Sequence, residues 1–244
     1  MKYHYPIILL FLLANVVIAQ DNCAPKQGAT KAFLPDALQS QGFEVVMSKG
    51  PFLLAQNGRY SYLRVQSFSS IYLVWDETLA LAMKKLRRSE GLILDIRNSS
   101  GEDISLAYRL AGCFISDKKP GHYSYDEMGK KSKTHVLRPH PKVEVYEAPV
   151  IVLTNRKTCQ AAEITALVLN QFPQVTMVGT PTAGTLTQGP DGRQHRSVSR
   201  VSLGDRGVPV DVAVTSPNMV LPNAINIIRG GFIPKSVAKR TMLK

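Results

Sequence analysis

Two strand-to-helix turns, at residues 95–102 and 154–163, hold the residue types best placed for chemistry. The first reads Asp95-Ile96-Arg97-Asn98-Ser99-Ser100-Gly101-Glu102, and the second ends in Thr158-Cys159-Gln160-Ala161-Ala162-Glu163. A turn that feeds a helix aims backbone N–H groups outward at the helix N-terminus, where negative charge is stabilised. Two such turns side by side would form an oxyanion hole, the electrostatic part of an acyl-transfer site. Most turns of this kind only connect elements, and Ser99 and Ser100 read by themselves as turn residues.

Metal chemistry has less footing. His4, His122, His135, His140 and His195 are scattered, and no Cys/His cluster has metal-ligand spacing. Neither a metal nor a cofactor is predicted. Cys23, Cys113 and Cys159 are an odd number, so at most one intramolecular disulfide forms. Their spacing leaves the pair open.

The elements that must position these turns alternate between strand and helix. Tyr60 to Val65 alternates in polarity and reads as a strand. Asp76 to Arg88 places Leu79, Ala82, Met83 and Leu86 on one helix face, and its basic end suits the helix dipole. Gly91 to Arg97, Pro149 to Thr154 and Val175 to Gly179 read as buried strands. Asp103 to Phe114 and Thr158 to Asn170 read as helices, and Thr180 to Thr187 as a loop. Residues 117–142 read as a basic excursion with short strands, including Thr134 to Leu137. Residues 21–58 read as a loose lead-in with one short helix near 34–41 and a strand near 43–47. This order predicts an α/β fold with a mainly parallel central sheet.

Composition narrows the classes. The 244 residues are 44% apolar and 20% charged, which excludes a mostly disordered chain and a polytopic membrane protein. Thirty Lys and Arg against 18 Asp and Glu give a net charge of +12. The basic cluster Lys84-Lys85-Leu86-Arg87-Arg88 lacks interleaved aromatics, so no nucleic-acid partner is predicted. Residues 1–19 read as a signal peptide: Lys2, an apolar run from Ile7 to Ala14, then Val17 and Ala19 at the −3 and −1 places of a cleavage site. Cleavage near Ala19 predicts an exported protein, periplasmic or extracellular, in a compartment that permits disulfides.

Six stretches, in order, resemble one family. Tyr62-Leu63-Arg64-Val65-Gln66-Ser67-Phe68 is followed by Gly91-Leu92-Ile93-Leu94-Asp95-Ile96-Arg97-Asn98-Ser99-Ser100-Gly101. Pro149 to Asn155 leads to Ala161-Ala162-Glu163-Ile164, and Val178 to Gly184 precedes Gly207 to Val214. Together they are similar to the C-terminal processing peptidases, or tail-specific proteases, over roughly residues 60–214. The resemblance implies a ClpP/crotonase-like layered α/β fold and ancestry among serine peptidases. With the signal peptide at 1–19, it leaves a lead-in too short for a PDZ domain (20–59), a protease-like core (60–214) and a basic C-terminal tail (215–244).

The family's chemistry uses a serine nucleophile, a neutral lysine as its base, and backbone N–H groups for the oxyanion. The resemblance puts Gln160 at the nucleophile position and Thr185 at the base position. Neither side chain can take the family role. The oxyanion donors correspond to the N–H groups of Gly101 and Ala161, with Glu102 replacing a usual glycine and bringing a carboxylate where negative charge should develop. Gln188 lies one place early for the glutamine that often supports the lysine. Cys159 adjoins the nucleophile position, but a neighbour at a helix start points elsewhere, and a buried or disulfide-bonded cysteine is expected.

These readings imply an exported, catalytically inactive relative that binds polypeptide segments. Two alternatives stand beside it. One is an active serine-type peptidase with non-standard catalytic residues. The other is a cationic envelope-surface binder using Arg229, Lys235, Lys239, Arg240 and Lys244 of the tail.

Overall fold

Gly91–Asp95 (β4) and Val150–Thr154 (β7) are buried at every position, as strands covered on both faces must be. They pair in parallel, Leu92 opposite Val150 and Leu94 opposite Val152. The computed structural model describes residues 33–126, 128, 130–186, 196–198 and 207–230. Within them, β4 and β7 are the middle of a seven-stranded sheet. Its order is β1 (Glu44–Lys49), β2 (Phe52–Gln56), β3 (Tyr60–Val65), β4, β7, β8 (Val175–Gly179) and β10 (Val212–Ala213). From β3 to β10 every pairing is parallel, while β1 and β2 add an antiparallel edge.

Alternation along each strand divides the core. Leu54, Leu63, Leu92, Leu94, Val152 and Met177 pack under α2 (Trp75–Leu86), α3 (Ile104–Gly112) and α4 (Ala161–Leu169). Leu53, Tyr62, Ile93, Ile151 and Val178 face α1 (Asp36–Gln39) and α5 (Pro217–Gly230). Each fully buried Leu or Ile contributes about 1.5–3 kcal/mol of apolar transfer, so both faces stabilise the sheet. Trp75 anchors the first face. Its ring meets Phe52 edge-on at 4.9 Å, and its indole N–H donates to the Ser67 carbonyl at 2.9 Å.

Two regions depart from the sequence reading. Phe52–Gln56 belongs to the sheet rather than to a loose lead-in, and four of its five residues are buried. The tail expected from residue 215 onward folds over 217–230 as α5, which buries Val220, Leu221, Ala224, Ile225 and Ile228 against the sheet. Gly91 permits that contact, because a Cβ there would come within 2.6 Å of Ile228. Arg229 is exposed on α5, while Lys235, Lys239, Arg240 and Lys244 lie outside the described residues. So do the leader, Cys23 and Gln188.

The basic excursion is more regular than its pattern suggested. Lys119–Tyr125 (β5) and Lys131–Leu137 (β6) form a hairpin, and Arg196–Val198 (β9) pairs with β5 on its other side. No described helix is long and apolar enough to cross a membrane.

Candidate functional site

The site lies where β4 and β7 end and turn toward α3 and α4. The two turns are laced together. Thr158 Oγ1 donates to the Ile96 carbonyl at 2.9 Å, the Cys159 N–H to the Ser99 carbonyl at 3.1 Å, and Asn155 Nδ2 to Asn98 Oδ1 at 3.0 Å. Asn98 itself has φ 56°. Ser99 is buried and donates its hydroxyl to the Val65 carbonyl, so it is a structural turn residue rather than a nucleophile.

Gln160 is the pivot. It has φ 55° and ψ −126°, a conformation costly for any residue with a Cβ, and it caps α4. The helix predicted from Thr158 therefore starts at Ala161. A sharp strained turn feeding a helix is how hydrolases lift a nucleophilic side chain clear of the backbone. Here the lifted side chain is a carboxamide.

That carboxamide reaches the other turn, where Gly101 N–H donates to Gln160 Oε1 at 3.3 Å. The Ala161 N–H donates to the Gly101 carbonyl at 2.9 Å. Both N–H groups assigned to an oxyanion hole are thus brought together, and both have acceptors from within the chain. Gly101 must be glycine: at φ 145° an added Cβ would overlap the Phe68 carbonyl.

Thr185 also meets Gln160, whose N–H donates to its Oγ1 at 3.0 Å. Thr185 Oγ1 donates in turn to Glu163 Oε2 at 2.8 Å. Glu163 is fully buried and collects four donors: Thr182 Oγ1, Gly184 N–H at 2.6 Å, Thr185 N–H at 2.8 Å and Thr185 Oγ1. Burial pushes its carboxyl above the usual range, outweighing hydrogen bonds that favour the charge. Glu163 therefore fastens the 182–185 loop to α4. A lone carboxylate in the apolar stretch AAEITALVL was the available signal that it needed dedicated partners.

Two neighbouring residues stay clear of the hole, Glu102 against the expectation and Cys159 in line with it. Glu102 turns its Oε1 toward Ser69 Oγ at 2.9 Å and Ser70 N–H at 3.1 Å, away from the oxyanion turn. Hydrogen bonds from its own backbone N–H and from Ser69 and Ser70 hold its carboxyl below the usual range. Cys159 is fully buried beneath the turn, and its thiol is not disulfide-linked to the buried Cys113. Burial also pushes the Cys113 thiol up, which leaves it protonated and inert.

Beneath the first turn, Asp95 is fully buried and gripped by Arg97 through Nε at 2.9 Å and Nη2 at 2.6 Å. Tyr62 OH donates to the same carboxylate at 2.8 Å. Burial opposes the Asp95 charge, but the Arg97 guanidinium holds its carboxyl below the usual range. Scattered in sequence, His122 and His135 stack at 4.0 Å on the hairpin.

The chain has recognisable relatives. The profile of peptidase family S41 matches residues 59–196, more than half of the chain. The carboxyl-terminal-processing peptidase 1 of Arabidopsis thaliana chloroplasts is 28% identical over 183 residues, 73% of this chain. The chain spans about a third of that relative's length (34%). A protein from Parabacteroides merdae shares the fold with a TM-score of 0.66 and 18% identity, covering 96% of this chain and 88% of its own. The photosystem II D1 C-terminal processing protease superimposes with a TM-score of 0.53 and 22% identity, over 70% of this chain and 46% of its own.

Proposed function

The chain belongs to peptidase family S41, and from that premise we propose that it is a non-hydrolytic member that binds extended polypeptide segments across the Gly101–Gln160 elbow. One observation carries this reading: the residue at the strained elbow is Gln160, and its own oxygen accepts the Gly101 N–H at 3.3 Å. A carboxamide neither attacks a carbonyl nor leaves that N–H open for an oxyanion. Thr185 supports the same reading, since its hydroxyl is held between the Gln160 N–H and Glu163 and it has no amine to take a proton. The elbow holds the Gly101 N–H beside Gln160, so a carbonyl-bearing segment that displaces Gln160 Oε1 would find a donor in place. Export after cleavage near Ala19 is part of the same proposal and rests on the sequence of residues 1–19.

Degradation of an unfolded test protein with an apolar C-terminus tests it. The chain and its Gln160→Ala variant are expected to leave the substrate intact, while Gln160→Ser/Thr185→Lys gains turnover. Turnover by the unaltered chain that survives Gln160→Ala would overturn the reading. Binding of the same unfolded protein, followed by anisotropy, is expected from all three.

A further inference from the structure

A cavity of about 630 Å³ opens between α3 and β6, outside the Gly101–Gln160 elbow. Its floor is apolar, with Ile104 on the first turn of α3 and Val136 on β6, both partly exposed. Around it stand Arg109, Lys133 and Arg138, and no carboxylate lines it. The nearby carboxylates are already partnered: Asp103 accepts the Ser105 N–H at 2.8 Å and hydroxyl at 2.6 Å, and Asp76 accepts from His140 at 2.8 Å and forms an ion pair with Arg109 at 3.8 Å. Among the described residues, Lys133 and Arg138 form no ion pair.

The second observation is topological. β6 is the outer strand of its sheet, and no described strand pairs with its far edge. An open edge offers a row of backbone donors and acceptors to an incoming strand. Lysines on an edge strand also guard against self-pairing. That role needs charge alone and gives no reason for an apolar cavity beside it.

We infer that this cavity is a docking site for an acidic polypeptide segment, which adds as an extended strand to the β6 edge. Alternate apolar side chains of the segment enter between Ile104 and Val136, and its carboxylates meet Lys133 and Arg138. The charge of the lining selects the ligand's sign, and the strand edge selects a polypeptide over a lipid. This inference is independent of whether the elbow hydrolyses anything.

The test uses the whole chain and a labelled short peptide alternating Glu with Val, with Gln/Val and Lys/Val peptides as comparisons. The Glu/Val peptide is expected to bind, and its affinity to fall about tenfold or more in Lys133→Glu/Arg138→Glu. Lys84→Glu/Lys85→Glu, the same charge change on the exposed face of α2, is expected to leave binding intact. Peptide addition is also expected to slow hydrogen exchange of amides in 131–136. Equal binding of the Gln/Val peptide, equal loss in both double variants, or unprotected β6 amides would overturn the proposal. So would displacement of the peptide by laurate, which would make the cavity a site for a lipid carboxylate.

Discussion

The Gly101 N–H donates to the Gln160 carboxamide oxygen at 3.3 Å, joining two turns that lie 59 residues apart. The Gln160 side chain thus occupies a backbone donor of the first turn.

Gln160 keeps a Cβ at φ 55°. Gln160→Gly and Gln160→Ala both delete the carboxamide, but only Ala retains the backbone strain. Gln160→Gly is expected to be more stable than Gln160→Ala by about 1 kcal/mol in urea unfolding. Equal stability would mean the elbow relaxes once the side chain is gone.

Glu163 binds its proton more tightly folded than unfolded, because burial raises its carboxyl. Its contribution to stability therefore falls as pH rises from about 4.5 through the folded value. Glu163→Gln is expected to remove this slope, seen as the difference between unfolding free energies at acid and neutral pH. It is also expected to cost about 2 kcal/mol at low pH, since an NH₂ replaces an acceptor of backbone N–H groups. A wild-type curve that rises relative to the variant would show a carboxylate stabilised by its four donors.

Asp95 has the opposite sign. Its folded carboxyl is held low, so its contribution is present above the ordinary carboxylate range and is lost as pH falls through the folded value. Asp95→Asn leaves the Arg97 guanidinium, only 15% exposed, without its counter-ion. A loss of about 3–5 kcal/mol is expected from chemical denaturation at neutral pH.

His122 is buried beneath Tyr108, which bonds its Nδ1 at 2.6 Å. Burial, with smaller contributions from His135 and Lys133, pushes its imidazole down to about 3. The unfolded chain takes up a proton that the folded chain refuses, so stability is lost as pH falls below 6.5. His122→Gln is expected to flatten that acid loss by about 1 kcal/mol per pH unit. An unchanged slope in thermal melts would place the acid sensitivity elsewhere.

Much of the fold was legible because its signals are local. Val150 to Thr154 is apolar and β-branched, and it is a buried central strand. The Leu79, Ala82, Met83 and Leu86 spacing is the buried face of α2. Phe52–Gln56 was missed because flanking Gly50, Pro51 and Gly58 read as loop, while its hydrogen bonds to β1 and β3 are set by pairing. α5 was hidden by Pro222 and the basic residues beyond it, although Val220, Ala224 and Ile228 keep helical spacing.

The same division holds for the site. Sequence by itself determined that no serine stands at position 160 and no lysine at 185, because residue identity limits what chemistry a position can do. Only the tertiary structure decided where the polar groups point. Whether Gln160 bonds Gly101, Glu102 turns to Ser69, and Glu163 gathers the 182–185 loop depends on chain segments 19 to 59 residues apart. Such contacts form when the sheet brings strand ends together, and no local propensity encodes them.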